Sequence, residues 1–179
     1  MGFGIGGNVN ADQIDKGIGR IVNAKRLSNL FNLDGGDGGR GWCFFPFLLE
    51  RIEMACKAID GTVLNPGDEF SFNKIVGERT PEKGYQSAIV YQTGGKSEAE
   101  AGGGVCQVAS TIYTACLYAD LKVTERSPHM FTVTYVQLGM DATIYWGSPD
   151  YKFVNSTDHP LRIDASASGG YVPAQPVGT

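Results

Sequence analysis

From Val105 to Ala119 the chain reads VCQVASTIYTACLYA, and three glycines, Gly102, Gly103 and Gly104, stand directly before it. The spacing predicts one helix with apolar or small residues on most of its sides. Such a helix has no wide polar face to give to water, so the rest of the fold has to surround it. Downstream the period changes to two. LKVTE (121–125), FTVTYV (131–136), DATIYW (141–146), YKFV (151–154) and LRID (161–164) alternate as short half-buried strands do. The expected fold class is therefore α+β: a mainly antiparallel sheet packed around a central helix that starts at Cys106.

The segment before the glycines carries clear local signals. In ERIEMACKAIDG (50–61), Ile52, Ala55, Cys56 and Ile59 recur at i, i+3, i+4 and i+7, an amphipathic helix stopped by Asp60-Gly61. Cys56 then belongs to the buried stripe. Pro66 and Gly67 sit where a type II turn needs them. After that turn Phe70 and Phe72 alternate with Glu69 and Ser71 as in a strand, SAIVYQ (87–92) reads as another, and TGGK (93–96) reads as a turn. Residues 1–45 form an atypical glycine-rich N-terminal segment, with NLDGGDGGRG (32–41) linker-like within it. The ordered domain is expected over 46–166. Residues 167–179, rich in glycine and proline, read as a flexible tail.

Bulk properties exclude several functions. At 42% hydrophobic and 11% aromatic residues the chain can build a core, and its net charge of −4 gives no basic footprint for nucleic acid or for anionic membrane. The longest apolar run, WCFFPFLL (42–49), contains Pro46 and is too short to span a bilayer. The four cysteines, Cys43, Cys56, Cys106 and Cys116, include no C-x-x-C pair, and His129 and His159 are the two histidines. A zinc site of ordinary spacing is not expected, nor any other metal or cofactor. Cys106 and Cys116, about 15 Å apart along one helix, are out of disulfide reach, whereas a Cys43–Cys56 bridge is open.

Two nucleotide-like patterns lack their context. GFGIGG (2–7) has no strand before it, and GGKS (94–97) has Val90 where a phosphate loop needs glycine. NST (155–157) reads as a turn as readily as a glycosylation acceptor. Cys106 is a different case. A thiol at a helix start meets unpaired N–H groups and the positive end of the macrodipole, which favour the thiolate. Gly103 and Gly104 would let backbone amides converge on a developing oxyanion, Gln107 would add a donor, and Ser110 lies one turn on. His129, after Pro128 at the entry to a predicted strand, is the candidate base, with Asp141 first and Asp150 second to orient it. His159 reads as a surface residue. Cysteine, histidine and acid are the set used by cysteine acyltransferases and peptidases. Free cysteine is also a common core residue, as Cys116 is expected to be, and spacing alone leaves both roles open for Cys106.

GTVLNPGDEFSFNKIVGERTPEKGY, GGGVCQVASTIYTA, ERSPHMFTVTYV and GMDATIYWGSPDYKFVNSTDHPLRI together resemble the VanW-domain family over roughly residues 50–165. The resemblance implies a bacterial envelope protein that acts on peptidoglycan stem peptides outside the cytoplasm. Members have been assigned L,D-transpeptidase activity, with the cysteine of the G-G-G-x-C-Q motif as nucleophile. Carried over, Cys106 would form a thioester with a tetrapeptide stem, release the terminal D-alanine and pass the acyl group to a second stem as a 3→3 cross-link. His129 and Arg126 match the histidine and arginine of the family's R-x-x-H segment. Arg79 matches a family arginine, suited by charge to a stem carboxylate. Arg79, Ser110 and Arg126 are thus the substrate-binding candidates. A non-catalytic wall-binding protein that assists glycopeptide resistance, and a peptidase using water as acceptor, are the competing readings.

Overall fold

The computed structural model describes residues 45–178 except 86, 92–96, 102–103, 134 and 169–171; for 45–48, 87–91 and 97–101 it describes the backbone alone. Helix α1, Phe45–Ile59, extends the predicted amphipathic segment by one turn, with Pro46 in the first turn where no N–H is needed. Ile52, Ala55, Cys56 and Ile59 are all buried. Strand β1 (Val63–Leu64) follows, then the turn at Pro66-Gly67, where Gly67 has φ +86° as a type II turn requires. Strand β2 is Glu69–Ser71, and Ser71 then caps the short helix α2 (Phe72–Val76) by accepting from Lys74 N–H. Phe72 therefore opens a helix instead of continuing the strand, because the Ser71 cap satisfies a backbone donor that a longer strand would have paired.

A 3-10 turn at Pro81–Lys83 leads to a hairpin of β3 (Ser87–Tyr91) and β4 (Ser97–Ala101), paired from Ser87↔Ala101 to Tyr91↔Ser97. The TGGK turn between them lies outside the described residues. Helix α3, Val105–Tyr118, is the predicted central helix, and Val105, Val108, Ala109, Ile112, Ala115 and Cys116 are buried along it. Strands β5 (Lys122–Glu125), β6 (Lys152–Val154), β7 (Leu161–Ala165) and β8 (Ala174–Gly178) complete the chain. They form two three-stranded antiparallel sheets, ordered β1-β7-β8 and β2-β6-β5. The fold is α+β. Helix α1 and strand β8 pack on α3, and Phe70, Phe72, Tyr151 and Phe153 form an aromatic cluster in the same core. Among the described residues no helix is long and apolar enough to cross a membrane.

Two expectations are corrected. Residues 167–179 are not simply a flexible tail, since Ala174–Gly178 pairs with β7 residue by residue, Leu161↔Gly178 to Ala165↔Ala174. Val172, Ala174, Pro176 and Gly178 are buried in strict alternation. Proline and glycine disguised the strand, yet β8 has one neighbour, and an edge strand tolerates proline. FTVTYV and DATIYW do not form strands among their described residues; the one ladder element there is the isolated bridge Ser127↔Thr143. The backbone of 139–144 finds partners in side chains instead, and that choice builds the site.

Candidate functional site

Helix α3 presents Cys106, Ser110 and Thr114 at i, i+4 and i+8, one stripe of small polar side chains. Each bonds to an alternate residue of the extended segment beside it. The Cys106 Sγ donates to the Ile144 carbonyl at 3.6 Å, Ser110 Oγ to Ala142 O at 3.3 Å, and Thr114 Oγ1 to Met140 O at 3.2 Å. Ala142 N–H returns a bond to Ser110 Oγ at 2.9 Å. Two strand residues advance about 6.6 Å and four helical residues about 6 Å, so the two spacings match over this length. Asp141 and Thr143 fall between the docked residues.

Asp141 faces Arg126 and His129. Its Oδ1 accepts from Arg126 Nη2 at 2.9 Å, and its Oδ2 takes the His129 backbone N–H at 2.7 Å and ring Nδ1 at 2.8 Å. Arg126 also donates Nε to the Asp141 carbonyl at 2.7 Å and Nη2 to Gly139 O at 3.2 Å, while its guanidinium lies 5.2 Å from the centre of the Tyr113 ring. With Nδ1 committed to a carboxylate, the imidazole is held in one orientation, and Nε2 is the ring nitrogen that remains. Of the two aspartates considered, Asp141 is the one in contact with His129. Asp150 is buried elsewhere, accepting from Ser71 Oγ at 2.6 Å and from the N–H groups of Asn73 and Tyr151 at 2.8 Å.

Electrostatics couple the pair. Burial pushes the Cys106 thiol up, but hydrogen bonds from His129, the Ile144 backbone and Thr143, with the charge on His129, outweigh it and leave the pKa below its ordinary value. Burial likewise disfavours a charged His129, yet Cys106 and Asp141 outweigh that and raise its pKa. Asp141 is held below the usual carboxylate range: desolvation is overcome by the two His129 donors and by Arg126. Thiolate and imidazolium thus favour each other. The two other described cysteines behave as core residues, with free thiols that burial pushes up to about 12.

Gly104 caps α3 with φ +94°, a conformation that favours glycine, and its carbonyl accepts from Gln107 N–H at 2.9 Å. Gly103 lies outside the described residues. The side-chain Oε1 of Gln107 is buried and has no hydrogen-bond partner among the described residues. Ser110 is fully buried, so it positions Ala142 and its neighbours and does not present its hydroxyl to a substrate. Arg79 is buried as well. It donates to Asn73 Oδ1 at 2.7 Å and to Gly77 O at 3.2 Å, and Asn73 in turn holds the Tyr145 and Pro149 carbonyls. Arg79, a substrate-binding candidate, thus supports the 145–149 loop through Asn73. His159 is exposed in the Asn155–Pro160 turn, as expected.

Thr143 and Tyr135 were not singled out by sequence. Tyr135 Oη lies 3.3 Å from His129 Nε2, with the two rings edge-on at 6.1 Å. Its position inside an apparently regular alternating segment gave no cue. A cleft of about 280 Å³ opens beside the histidine, lined among others by Arg126, His129, Met130, Phe131, Leu138 and Asp141.

Comparison with known proteins gives the chain its relatives. The family described as "VanW like protein" matches residues 49–176. The uncharacterized protein YoaR of Bacillus subtilis (strain 168) is 45% identical over 120 residues, covering 67% of this chain and 39% of its own. The vancomycin B-type resistance protein VanW of Enterococcus faecalis (strain ATCC 700802 / V583) is 30% identical over 118 residues, 63% of this chain and 42% of its own. The chain therefore spans about two fifths of the length of these curated relatives. No solved structure matches it significantly. A match across the helices, both sheets and the Cys106–His129–Asp141 cluster means that this chain belongs to the VanW-like family.

Proposed function

We propose that the domain is a cysteine acyltransferase of the L,D-transpeptidase type, acting on peptidoglycan stem peptides at the bacterial cell envelope. The observation that carries this reading is the half-buried Cys106 thiol, its pKa lowered beside a histidine whose Nδ1 is held 2.8 Å from Asp141. A relative named for vancomycin resistance supports an envelope role.

The Cys106 thiol first gives its proton to His129. The Cys106 thiolate attacks the carbonyl of the third stem residue, and the charge moves to the carbonyl oxygen. In this reading backbone N–H groups of the first turn of α3 and the Gln107 side-chain amide supply the stabilising donors. On collapse the C–N bond to the terminal D-alanine breaks, and the imidazolium gives its proton to the departing amine. The side-chain amine of a second stem then attacks the thioester. Its proton passes to His129, the new amide forms, and the C–S bond breaks to regenerate the thiolate.

Intact-protein mass spectrometry after incubation with a stem tetrapeptide tests the first half. The expected adduct equals the stem minus D-alanine and is absent in Cys106→Ala. A folded native protein that forms no adduct, and that binds peptidoglycan equally well as Cys106→Ser, would overturn the reading in favour of a non-catalytic wall-binding accessory protein. Shortened stems without new cross-links would make water the acceptor.

A further inference from the structure

FTVTYV (131–136) alternates as a strand does and is made of the β-branched and aromatic residues that strands favour, yet no ladder takes it up among its described residues. The segment is tied down on both sides. His129 N–H bonds Asp141 Oδ2 at 2.7 Å before it, and Met140 N–H bonds the Gln137 carbonyl at 3.0 Å after it. Between these ties the main-chain groups of Phe131, Thr132 and Val133 have no hydrogen-bond partner among the described residues. All three line the cleft beside His129. Around them Met130, Phe131 and Leu138 keep 69%, 59% and 82% of their surface in water. A β-prone apolar edge with open donors and acceptors invites pairing, and folded proteins blunt such edges with charge or proline. Residues 130–138 contain neither.

We propose that Phe131, Thr132 and Val133 form a docking edge for the stem peptide, which lies in the cleft as an added strand and exchanges main-chain hydrogen bonds with them. The inference rests on the acyl-transfer reading above and names how that site holds its substrate. Strand addition draws affinity from main-chain bonds, and the side chains beside the edge set which peptide fits. A cleft of about 280 Å³ is at the small end of ligand sites, so it takes a short stretch of chain and not a folded partner. His129 lines the same cleft and stands two residues before Phe131 in the chain. A peptide paired along this edge is therefore carried towards the imidazole, and the peptide that has to arrive there is the one whose bond is exchanged. The apolar side chains of Met130, Phe131 and Leu138 give it a rim to lie against.

Amide hydrogen exchange, read residue by residue by NMR, tests the edge directly. The protein is Cys106→Ala, which cannot turn the peptide over, and the probe is a stem tetrapeptide at saturation. Successive amides of a strand point to opposite edges, so protection is expected in alternation, at Phe131 with Val133 or at Thr132 alone, by about tenfold or more. A tetrapeptide N-methylated at its backbone amides loses those donors and is expected to bind about tenfold more weakly. Unchanged exchange at all three amides would overturn the proposal, and so would equal protection of all three, which marks simple covering of the loop. Should Cys106→Ala not fold, the native protein with a stem tripeptide, which has no terminal D-alanine to release, gives the same readout. The acyl adduct separates the two levels. An adduct on the native protein without protection at 131–133 removes the docking edge and leaves acyl transfer standing, whereas alternating protection without an adduct keeps the edge and removes the chemistry.

Discussion

The reactivity of Cys106 is set by a balance that a single neighbour tips. Burial alone would make this thiol as inert as Cys56 or Cys116, both pushed up to about 12. The hydrogen bond and charge of His129 reverse the direction at Cys106. In His129→Gln burial is left opposed only by the Ile144 backbone and Thr143. The pH profile of Cys106 alkylation is then expected to move upward, and the rate at pH 7 to fall by roughly tenfold or more. Stopped-flow alkylation across pH measures this, and superimposable profiles for the two proteins would remove His129 from thiol activation. Asp141, like Cys106, has a lowered pKa. A depressed carboxyl pKa contributes stability that is present above its ordinary value of 3.8 and is lost as pH falls through the folded value.

Between elements, the site rests on two clamps that use side chain to backbone bonds. One is the Cys106, Ser110 and Thr114 stripe of α3 along residues 140–144. The other joins β2, α2 and the loop after residue 144. Asp150 binds the Ser71 hydroxyl and the Asn73 N–H, while Asn73 holds the Tyr145 and Pro149 carbonyls and is itself held by Arg79. Asp150 is buried, and truncating it leaves the Ser71 hydroxyl and two backbone donors without their acceptor. Asp150→Ala is expected to lower stability by about 3–5 kcal/mol, the sum of three buried bonds at the usual net value plus desolvation. Urea unfolding reads this, and a loss under about 1 kcal/mol would mean that the clamp is replaceable by water.

Across the whole molecule, α3 shares its core with α1, β8 and the aromatic cluster of Phe70, Phe72, Tyr151 and Phe153, and this core holds two thiols, Cys56 on α1 and Cys116 on α3, that must stay neutral to remain buried. Cys56 and Cys116 have folded pKa values above the ordinary 9.0. Their contribution is complete below about pH 9 and is lost as pH rises towards 12, because the unfolded chain ionises first. Each thiol should cost up to about 1.4 kcal/mol per pH unit in that window. Chemical denaturation at pH 8, 9, 10 and 11 is expected to show stability falling only beyond pH 9. Cys116→Ala, though less stable at pH 8, should decline less steeply, and an equal slope would show that Cys116 ionises in the native state.

What could be read from the chain by itself followed from interactions between near neighbours. The apolar periods of α1 and α3, the type II turn at Pro66-Gly67, and the strands at 122–125, 152–154 and 161–165 are local patterns, and a helix without a polar face has to lie inside. The cysteine at the start of that helix, the histidine after Pro128 and the preference for Asp141 over Asp150 were also legible as candidates. Tertiary structure decided the rest, where the partner of a group is distant in sequence. Whether 140–144 becomes a strand depends on competing side-chain hydrogen bonds from α3, chiefly donors to its carbonyls, roughly thirty residues earlier. Whether Ala174–Gly178 is a tail or an edge strand depends on β7 offering it a ladder. Arg79 and Ser110 were drawn inward because buried carbonyls and amides elsewhere in the fold needed partners, and a buried polar group left unpaired costs more than an exposed site gains. Tyr135 came to Nε2 for the same reason: no local pattern records which face of the imidazole a loop will close on.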